Sequence, residues 1–132
     1  MERYQELLSD RLNAPGEMLS VDDSGFVKKG CLSVGGKRQY CGRLGNRENC
    51  QVGRFLAYAG CKGYGLVDRE LYIPQEWDSP SHDALRRKCH IPSDKTFATK
   101  NKIALDMINK ALESGTIPGT MDRLQCSLWE RP

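Results

Sequence analysis

The residues best suited to chemistry are two adjacent carboxylates, Asp22 and Asp23, which follow the apolar segment Met18-Leu-Ser-Val21 and precede Ser24-Gly25. We interpret the apolar segment as a short buried strand that delivers both acids at its C-terminal end, where they would be exposed at the rim of an active site. Carboxylate oxygens are hard ligands of the kind that Mg²⁺ prefers. Asp-Asp-Ser-Gly is also ordinary turn sequence, so a purely structural role stays open.

A second feature is a stripe of positive charge between Lys28 and Arg54. It contains seven basic residues and a single acid, Glu48. The basic residues are Lys28, Lys29, Lys37, Arg38, Arg43, Arg47 and Arg54. Such a local excess can bind phosphate groups, although a solvated surface rich in Lys and Arg has the same pattern. The net charge of +3 by itself indicates little.

The six cysteines, at positions 31, 41, 50, 61, 89 and 126, include no Cys-x-x-Cys pair. A structural zinc site normally needs two such closely spaced pairs, and a dithiol redox motif needs one. Cys89-His90 is the only Cys/His neighbour pair, and no second pair lies near it in the sequence. We therefore expect reduced thiols and a cytoplasmic location.

The composition is that of a single globular domain. The chain has 132 residues, of which 39% are apolar and 28% charged, which suffices for one hydrophobic core. No apolar run approaches the roughly 18 residues that span a membrane. The charged N-terminus lacks the apolar core of a signal peptide. We expect a protein without a membrane partner.

Hydrophobic alternation predicts the strands that must position these residues. Cys50–Ala59 and Tyr64–Ile73 form a predicted hairpin around the turn Gly60–Gly63. Together with Met18–Val21 they make a three-stranded antiparallel meander. The intervening stretch is irregular and rich in glycine, with two strand-like pieces at Ser33-Val34 and Gln39-Tyr40.

Helical spacing predicts two helices and one helical turn. Tyr4–Leu12 is a short amphipathic helix that ends in the turn Asn13–Gly16. Thr99–Glu113 is the clearest helix, with Thr99 as its N-cap and Gly115 closing it in the left-handed conformation. Gln75–Thr96 is predicted as a loop with one helical turn at Ala84–Lys88.

Five blocks of the chain carry a resemblance to a known family. They are Val21-Asp-Asp-Ser-Gly-Phe-Val-Lys-Lys-Gly30, Arg38-Gln-Tyr-Cys-Gly42, Asn49-Cys-Gln51, Asp68-Arg-Glu-Leu-Tyr72 and Glu76-Trp77. In this order they resemble bacterial insertion-sequence transposases of the DDE type, in the IS-seven-zero-one-like group, over residues 4 to 115. The resemblance implies an α/β, ribonuclease-H-like fold, of which the predicted meander and helix form an incomplete part.

The resemblance also implies phosphoryl transfer with two divalent ions, usually Mg²⁺, held by three carboxylates. The first carboxylate of the family falls on Asp23, with Asp22 as second choice, because alternate residues of a strand face opposite sides. The basic residues that would hold DNA beside this site are Lys28, Lys29, Lys37, Arg38 and Arg43. The family's second Asp follows the helix predicted at Thr99–Glu113, and its Glu comes later still. Neither has a counterpart in this chain.

The tail, residues 116–132, has no clean hydrophobic period, and we expect no regular structure there. Shifting the reading frame of Ile117–Pro132 by one nucleotide permits a Trp and Gly pattern like the family's second-Asp strand, with Asn or Ser at the acidic position. We therefore interpret residues 1–115 as the N-terminal part of a catalytic domain and 116–132 as an out-of-frame or divergent tail.

Three functions follow as hypotheses. The first is a DDE transposase that cuts and joins DNA at the ends of its element, which one carboxylate cannot support alone. The second is a non-catalytic fragment that binds DNA or interferes with transposition. Its expected partners are DNA at element ends and a second transposase chain. The third is a relic whose product folds poorly.

Overall fold

The computed structural model describes residues 2–12, 17–117 and 123–126. These ranges contain the α-helices α1 at Glu2–Leu12, α2 at Asp83–Lys88 and α3 at Lys100–Glu113. Two short 3-10 helices, Gln75–Asp78 and Pro80–His82, precede α2. The strands are β1 at Met18–Val27, β2 at Lys37–Cys41, β3 at Asn46–Gly60, β4 at Gly63–Tyr72 and β5 at Arg123–Cys126. The chain is a mixed α/β protein, as predicted.

The described strands form one five-stranded sheet with the order β2-β3-β1-β5, and β4 also pairs with β3. The start of β3, Asn46–Cys50, pairs antiparallel with β2. β5 runs parallel to β1, from the pair Met18 with Arg123 to the pair Val21 with Cys126. A parallel strand in a sheet that also has antiparallel strands is compatible with a partial ribonuclease-H-like fold.

Contacts divide the chain into two compact units. The first is built from the described parts of residues 1–22, 55–69 and 104–132. Its core contains the buried side chains Leu19, Val21, Leu56, Tyr58, Val67, Ala104, Met107, Ala111 and Ile117. Gln5 Nε2 donates a hydrogen bond to the Val67 carbonyl at 2.8 Å. Burial and a hydrogen bond to Glu17 raise the pKa of Tyr58, so its phenol stays protonated inside this core.

The second unit comprises residues 23–54 and 70–103. Cys41, Cys50 and Val52 are buried together, and the ring of Tyr72 packs against them. Trp77 is buried, and its Nε1 donates to the Gly36 carbonyl at 3.2 Å. These contacts fix the loop that follows β4.

Most of the predicted elements are confirmed. α1 and α2 lie where the two shorter helical segments were predicted, and the β3–β4 hairpin turns at Cys61-Lys62. α3 begins after Thr99, whose Oγ1 accepts a hydrogen bond from the Lys102 amide at 3.2 Å as an N-cap. Gly115 follows the helix with a φ of 69°, the left-handed conformation expected of a C-terminal glycine.

Two predictions about the strands are wrong. β1 continues to Val27, so Asp22 and Asp23 lie within the strand and not at its C-terminal end. The strand can continue past Gly25 because this residue has no side chain: a Cβ there would lie only 2.7 Å from Cys41 Sγ and would collide with it. Ser33-Val34 lies outside the strands of the described chain, whereas Gln39-Tyr40 falls in β2.

The expectation of no regular structure in the tail is wrong for Arg123–Cys126, which forms β5 against β1. Strand pairing uses backbone groups that every non-proline residue has, so a short strand can form without a hydrophobic period. The rest of the tail from residue 118 onward, and the turn predicted at Asn13–Gly16, lie outside the described residues.

Candidate functional site

Asp23 lies on the buried face of β1. Leu19, Val21 and Gly25, at alternate positions of the same strand, are buried, whereas Asp22 is exposed on the opposite face. Alternation along a strand therefore separates the two acids. The Asp23 side chain keeps 25% of its surface exposed. Asp23 is thus the acid of the two whose side chain lies on the buried face of the strand.

Arg54 brings a buried positive charge to Asp23. Its Nε lies 3.1 Å from Asp23 Oδ1, and its side chain is only 1% exposed. Among the described residues, Arg54 Nη1 has no hydrogen-bond acceptor. Arg54 therefore depends on the Asp23 carboxylate for charge compensation.

Lys100, the first residue of α3, brings a second positive charge. Its Nζ lies 2.8 Å from Asp23 Oδ2 and is 5.4 Å from the centroid of the Tyr72 ring. The Tyr72 ring meets Phe97 edge to face, with centroids 6.3 Å apart. The carboxylate and the aromatic face both attract the ammonium group. We call Asp23, Arg54, Lys100 and Tyr72 the Asp23 cluster.

These side chains do not fit the two-metal site that the family resemblance implies. Two divalent ions require several hard oxygen ligands. In the part of the chain that the structure describes, no group of three or more His, Cys, Asp or Glu side chains could hold a metal ion. The two cations on Asp23 also repel a divalent ion. No catalytic step through a metal follows from this arrangement.

The basic residues predicted to bind nucleic acid fall in three different settings. Lys28 and Lys29 follow β1, where the Asn49 amide donates to the carbonyls of Lys28 at 2.9 Å and Gly30 at 3.0 Å. Lys37 forms an ion pair with Glu76 at 2.6 Å. Arg38 and Arg43 are exposed. The structure therefore separates Lys37 from the other predicted residues, because its charge is already compensated.

The sequence did not predict that Arg54 and Lys100 contact Asp23. Arg54 belongs to the basic stripe, although along β3 it alternates in step with the apolar residues Val52 and Leu56. That parity was a usable signal for burial. Lys100 carries no such signal, because only the packing of α3 places it beside a residue of β1.

The cysteines of the described residues are unpaired by disulfides. Cys31, Cys41, Cys50, Cys61 and Cys89 are free thiols. Burial, followed by the neighbouring Cys41, raises the pKa of the Cys50 thiol, which keeps it protonated.

In the described residues, no helix is both long enough and apolar enough to cross a membrane.

The fold and the inward-facing acid define a class of protein: a mixed α/β chain compatible with part of a ribonuclease-H-like nuclease domain. A family model described as DDE superfamily endonuclease matches residues 1–121. The chain therefore belongs to the DDE superfamily endonucleases. No curated protein and no solved structure gives a significant match.

Proposed function

We propose that the chain is the N-terminal part of a DDE transposase of the IS-seven-zero-one-like group, which binds DNA at element ends and does not cut it by itself. Membership of the DDE endonuclease family supports DNA as the substrate. The observation that supports the absence of cleavage is that the charge of Asp23 is already compensated by Arg54 and Lys100.

The DNA-binding half of the proposal depends on exposed positive charge. Lys29, Arg38 and Arg43 are exposed, and Lys28 is half-buried beside them in the sequence. Contacts of such residues with phosphates position a protein on DNA without reading its sequence. Binding should therefore weaken steeply as salt rises, because each neutralised phosphate releases counterions.

The catalytic half of the proposal depends on missing carboxylates. In the family resemblance, the second Asp lies on the strand that follows the helix corresponding to α3. β5 is the strand that follows α3 in the described chain, and its residues, Arg123-Leu-Gln-Cys126, include no acid. A single carboxylate held by two cations offers too few ligands for Mg²⁺.

DNA binding is tested by fluorescence anisotropy with the purified full chain and a labelled duplex of about 30 base pairs, titrated at several salt concentrations. We expect binding at low salt that falls linearly on a plot of log affinity against log salt concentration. Absence of binding at the lowest salt would contradict the proposal.

Cleavage is tested with the same duplex in Mg²⁺ or Mn²⁺, comparing the native chain with Asp23→Asn. We expect no cleavage above background from either protein. Robust cleavage that disappears in Asp23→Asn would overturn the catalytic half and show that the family's activity is present in this chain.

The tail and the partner complete the proposal. We propose that residues 116–132 derive from a shifted reading frame and that the chain can interfere by pairing with a second, complete transposase chain. The nucleotide sequence downstream of codon 116 tests the first point: a shifted frame that does not continue into a transposase-like second half rules it out. Co-purification with a complete transposase tests the second.

A further inference from the structure

We propose that one face of the β2–β3 hairpin is the surface that docks on duplex DNA. We define this surface, the basic hairpin face, as Arg38, Tyr40 and Arg47, with Arg43 at the turn. The inference rests on the proposed DNA-binding function. It adds Tyr40, which is not part of the basic stripe, and Arg47, which belongs to the stripe but is not among the residues predicted from the sequence to hold DNA.

The register of the two strands puts these residues on one face. Arg38 lies opposite Asn49, and Tyr40 lies opposite Arg47. Directly opposed residues of an antiparallel pair share a face, and so do residues two apart on one strand. Arg38, Tyr40 and Arg47 are all exposed, and Tyr40 keeps 49% of its surface accessible. The aromatic ring of Tyr40 therefore shares this face with two arginines.

The opposite face of the hairpin is occupied by the protein's own packing. Cys41 and Cys50 are buried there, and Gln39 Nε2 donates to the Cys50 carbonyl at 2.8 Å. Lys37 lies on this face and is paired with Glu76. The one acid of the hairpin, Glu48, lies opposite Gln39 and so on the same packed face. The basic hairpin face carries no acidic residue of its own.

The turn of the hairpin has a defined shape. The amides of Leu44 and Gly45 both donate to the Cys41 carbonyl, at 3.0 and 2.9 Å. Gly45 has a φ of 68°, a left-handed conformation that glycine adopts without strain. The turn presents Arg43 and Leu44 to solvent, and Leu44 is 51% exposed.

Duplex DNA is the occupant that this chemistry fits. A two-stranded β-ribbon has the width of the major groove, and arginines on its face can reach the phosphates that line the groove. Tyr40 and Leu44 supply the apolar surface that contacts sugars and bases. The Asn49 side chain donates to the carbonyls of Lys28 and Gly30 and so holds this segment against the start of β3. Lys28 and Lys29 therefore lie beside the hairpin and extend its positive charge.

The test compares two variants that each lose two exposed positive charges. Arg38→Gln/Arg47→Gln changes the basic hairpin face, and Arg87→Gln/Lys88→Gln changes exposed residues of α2. Affinity for a labelled duplex is measured against salt with the full chain, after circular dichroism has shown that both variants fold. The hairpin variant should lower the salt slope by about 2, one per lost phosphate contact. Near 0.1 M salt this corresponds to about 100-fold weaker binding.

Tyr40 supplies a second measurement. Tyr40→Ser should weaken binding about fivefold without changing the salt slope, because it removes an apolar contact with the duplex. Tyr40→Phe should bind as the native chain does, because the ring and not the hydroxyl makes this contact. Tyr40 is 49% exposed, so neither variant removes a core contact.

The outcomes separate the inference from the proposed function. If the native chain does not bind DNA at low salt, both are overturned. If it binds with a steep salt slope but the hairpin variant behaves as the α2 variant does, only the hairpin assignment is overturned. A greater loss in the hairpin variant, together with the Tyr40 pattern, supports the assignment. Binding that prefers single strands over duplex contradicts the stated occupant.

Discussion

The Asp23 cluster and the basic hairpin face use the same kinds of charged residue in opposite ways. Arg54 and Arg47 lie on one strand, β3, seven positions apart, which places them on opposite faces because the interval is odd. Arg54 is buried against Asp23, and its charge is compensated within the protein. Arg47 is exposed beside Tyr40 on the basic hairpin face, to which the hairpin itself contributes no acid. Buried charge of this kind serves the fold, whereas exposed charge of the second kind is available to a ligand.

The largest effect we expect comes from Asp23→Ala. Removing the carboxylate leaves Arg54 buried without a counter-charge, and breaking a buried pair in this way costs about 3 kcal/mol of unfolding free energy. Urea unfolding at neutral pH measures the loss. Asp22→Ala is the matched control, since Asp22 is exposed on the other face, and should change stability by less than about 0.5 kcal/mol.

The double variant Asp23→Ala/Arg54→Met sharpens this result. Replacing both members of the pair with apolar groups should restore stability to within about 1 kcal/mol of the native chain. The coupling energy of the cycle should therefore exceed about 1.5 kcal/mol. Additive losses would contradict the description of Asp23 and Arg54 as a mutually dependent pair.

A second prediction concerns Mg²⁺. A site with a dissociation constant near 1 mM would stabilise the chain by about 1.4 kcal/mol in about 10 mM Mg²⁺. We expect no such stabilisation, because Arg54 and Lys100 already compensate Asp23. Thermal unfolding with and without Mg²⁺ measures it. A rise in melting temperature that Asp23→Asn abolishes would contradict the prediction.

The hairpin turn allows a third prediction. Gly45→Ala places a side chain at a φ of 68°, which should cost about 1 kcal/mol of unfolding free energy. A Cβ at Gly45 has nothing within 4 Å, so strain and not collision is the cause. DNA affinity should fall as well, because Arg43 and Leu44 depend on the turn. Gly30→Ala, also without close neighbours, is the control and should leave both measurements unchanged.

The smallest effect we expect comes from an exposed, compensated pair, Lys95 and Glu70. Lys95 Nζ lies 2.6 Å from Glu70 Oε1, and this hydrogen bond raises the pKa of Lys95. A raised folded-state pKa contributes stability that is fully present below the unfolded value of 10.5 and is lost as pH rises through the folded value. Because both side chains are exposed, Lys95→Gln should cost only about 0.5 kcal/mol at pH 7.

The pH dependence of that cost checks the sign. The difference in unfolding free energy between the native chain and Lys95→Gln should shrink as pH rises above 10.5, the ordinary value for lysine. Arg69→Gln, an exposed change on β4 that keeps both Lys95 and Glu70, is the control and should show no comparable dependence. A difference that grows with pH would contradict the prediction.

Local patterns predicted much of the fold because their causes are local. The spacing in Thr99–Glu113, the hydroxyl of Thr99 and the glycine at 115 predict a helix with its cap and end, and α3 has all of them. The end of β1 and the strand β5 were not predictable in this way. The end of β1 depends on the space that Gly25 leaves for Cys41, which belongs to another strand. The strand β5 depends on pairing with β1.

The site was predicted only in its components. Alternation along a strand separates Asp22 from Asp23, and the structure places Asp23 on the buried face. The pairing of Lys37 with Glu76 and of Lys100 with Asp23 joins residues of distant segments, for which spacing carries no signal. Which residues of the basic stripe are paired, buried or exposed is therefore visible only in the folded structure.

The sequence by itself determined which kind of protein this is. Its ordered blocks pointed to the DDE endonucleases, and its hydrophobic spacing together with the family resemblance pointed to an α/β fold, because such patterns depend on residue identity and spacing alone. Only the tertiary structure decided which charges are compensated and which face solvent. An ion pair forms or fails according to distances of a few ångströms between segments, and these distances result from packing.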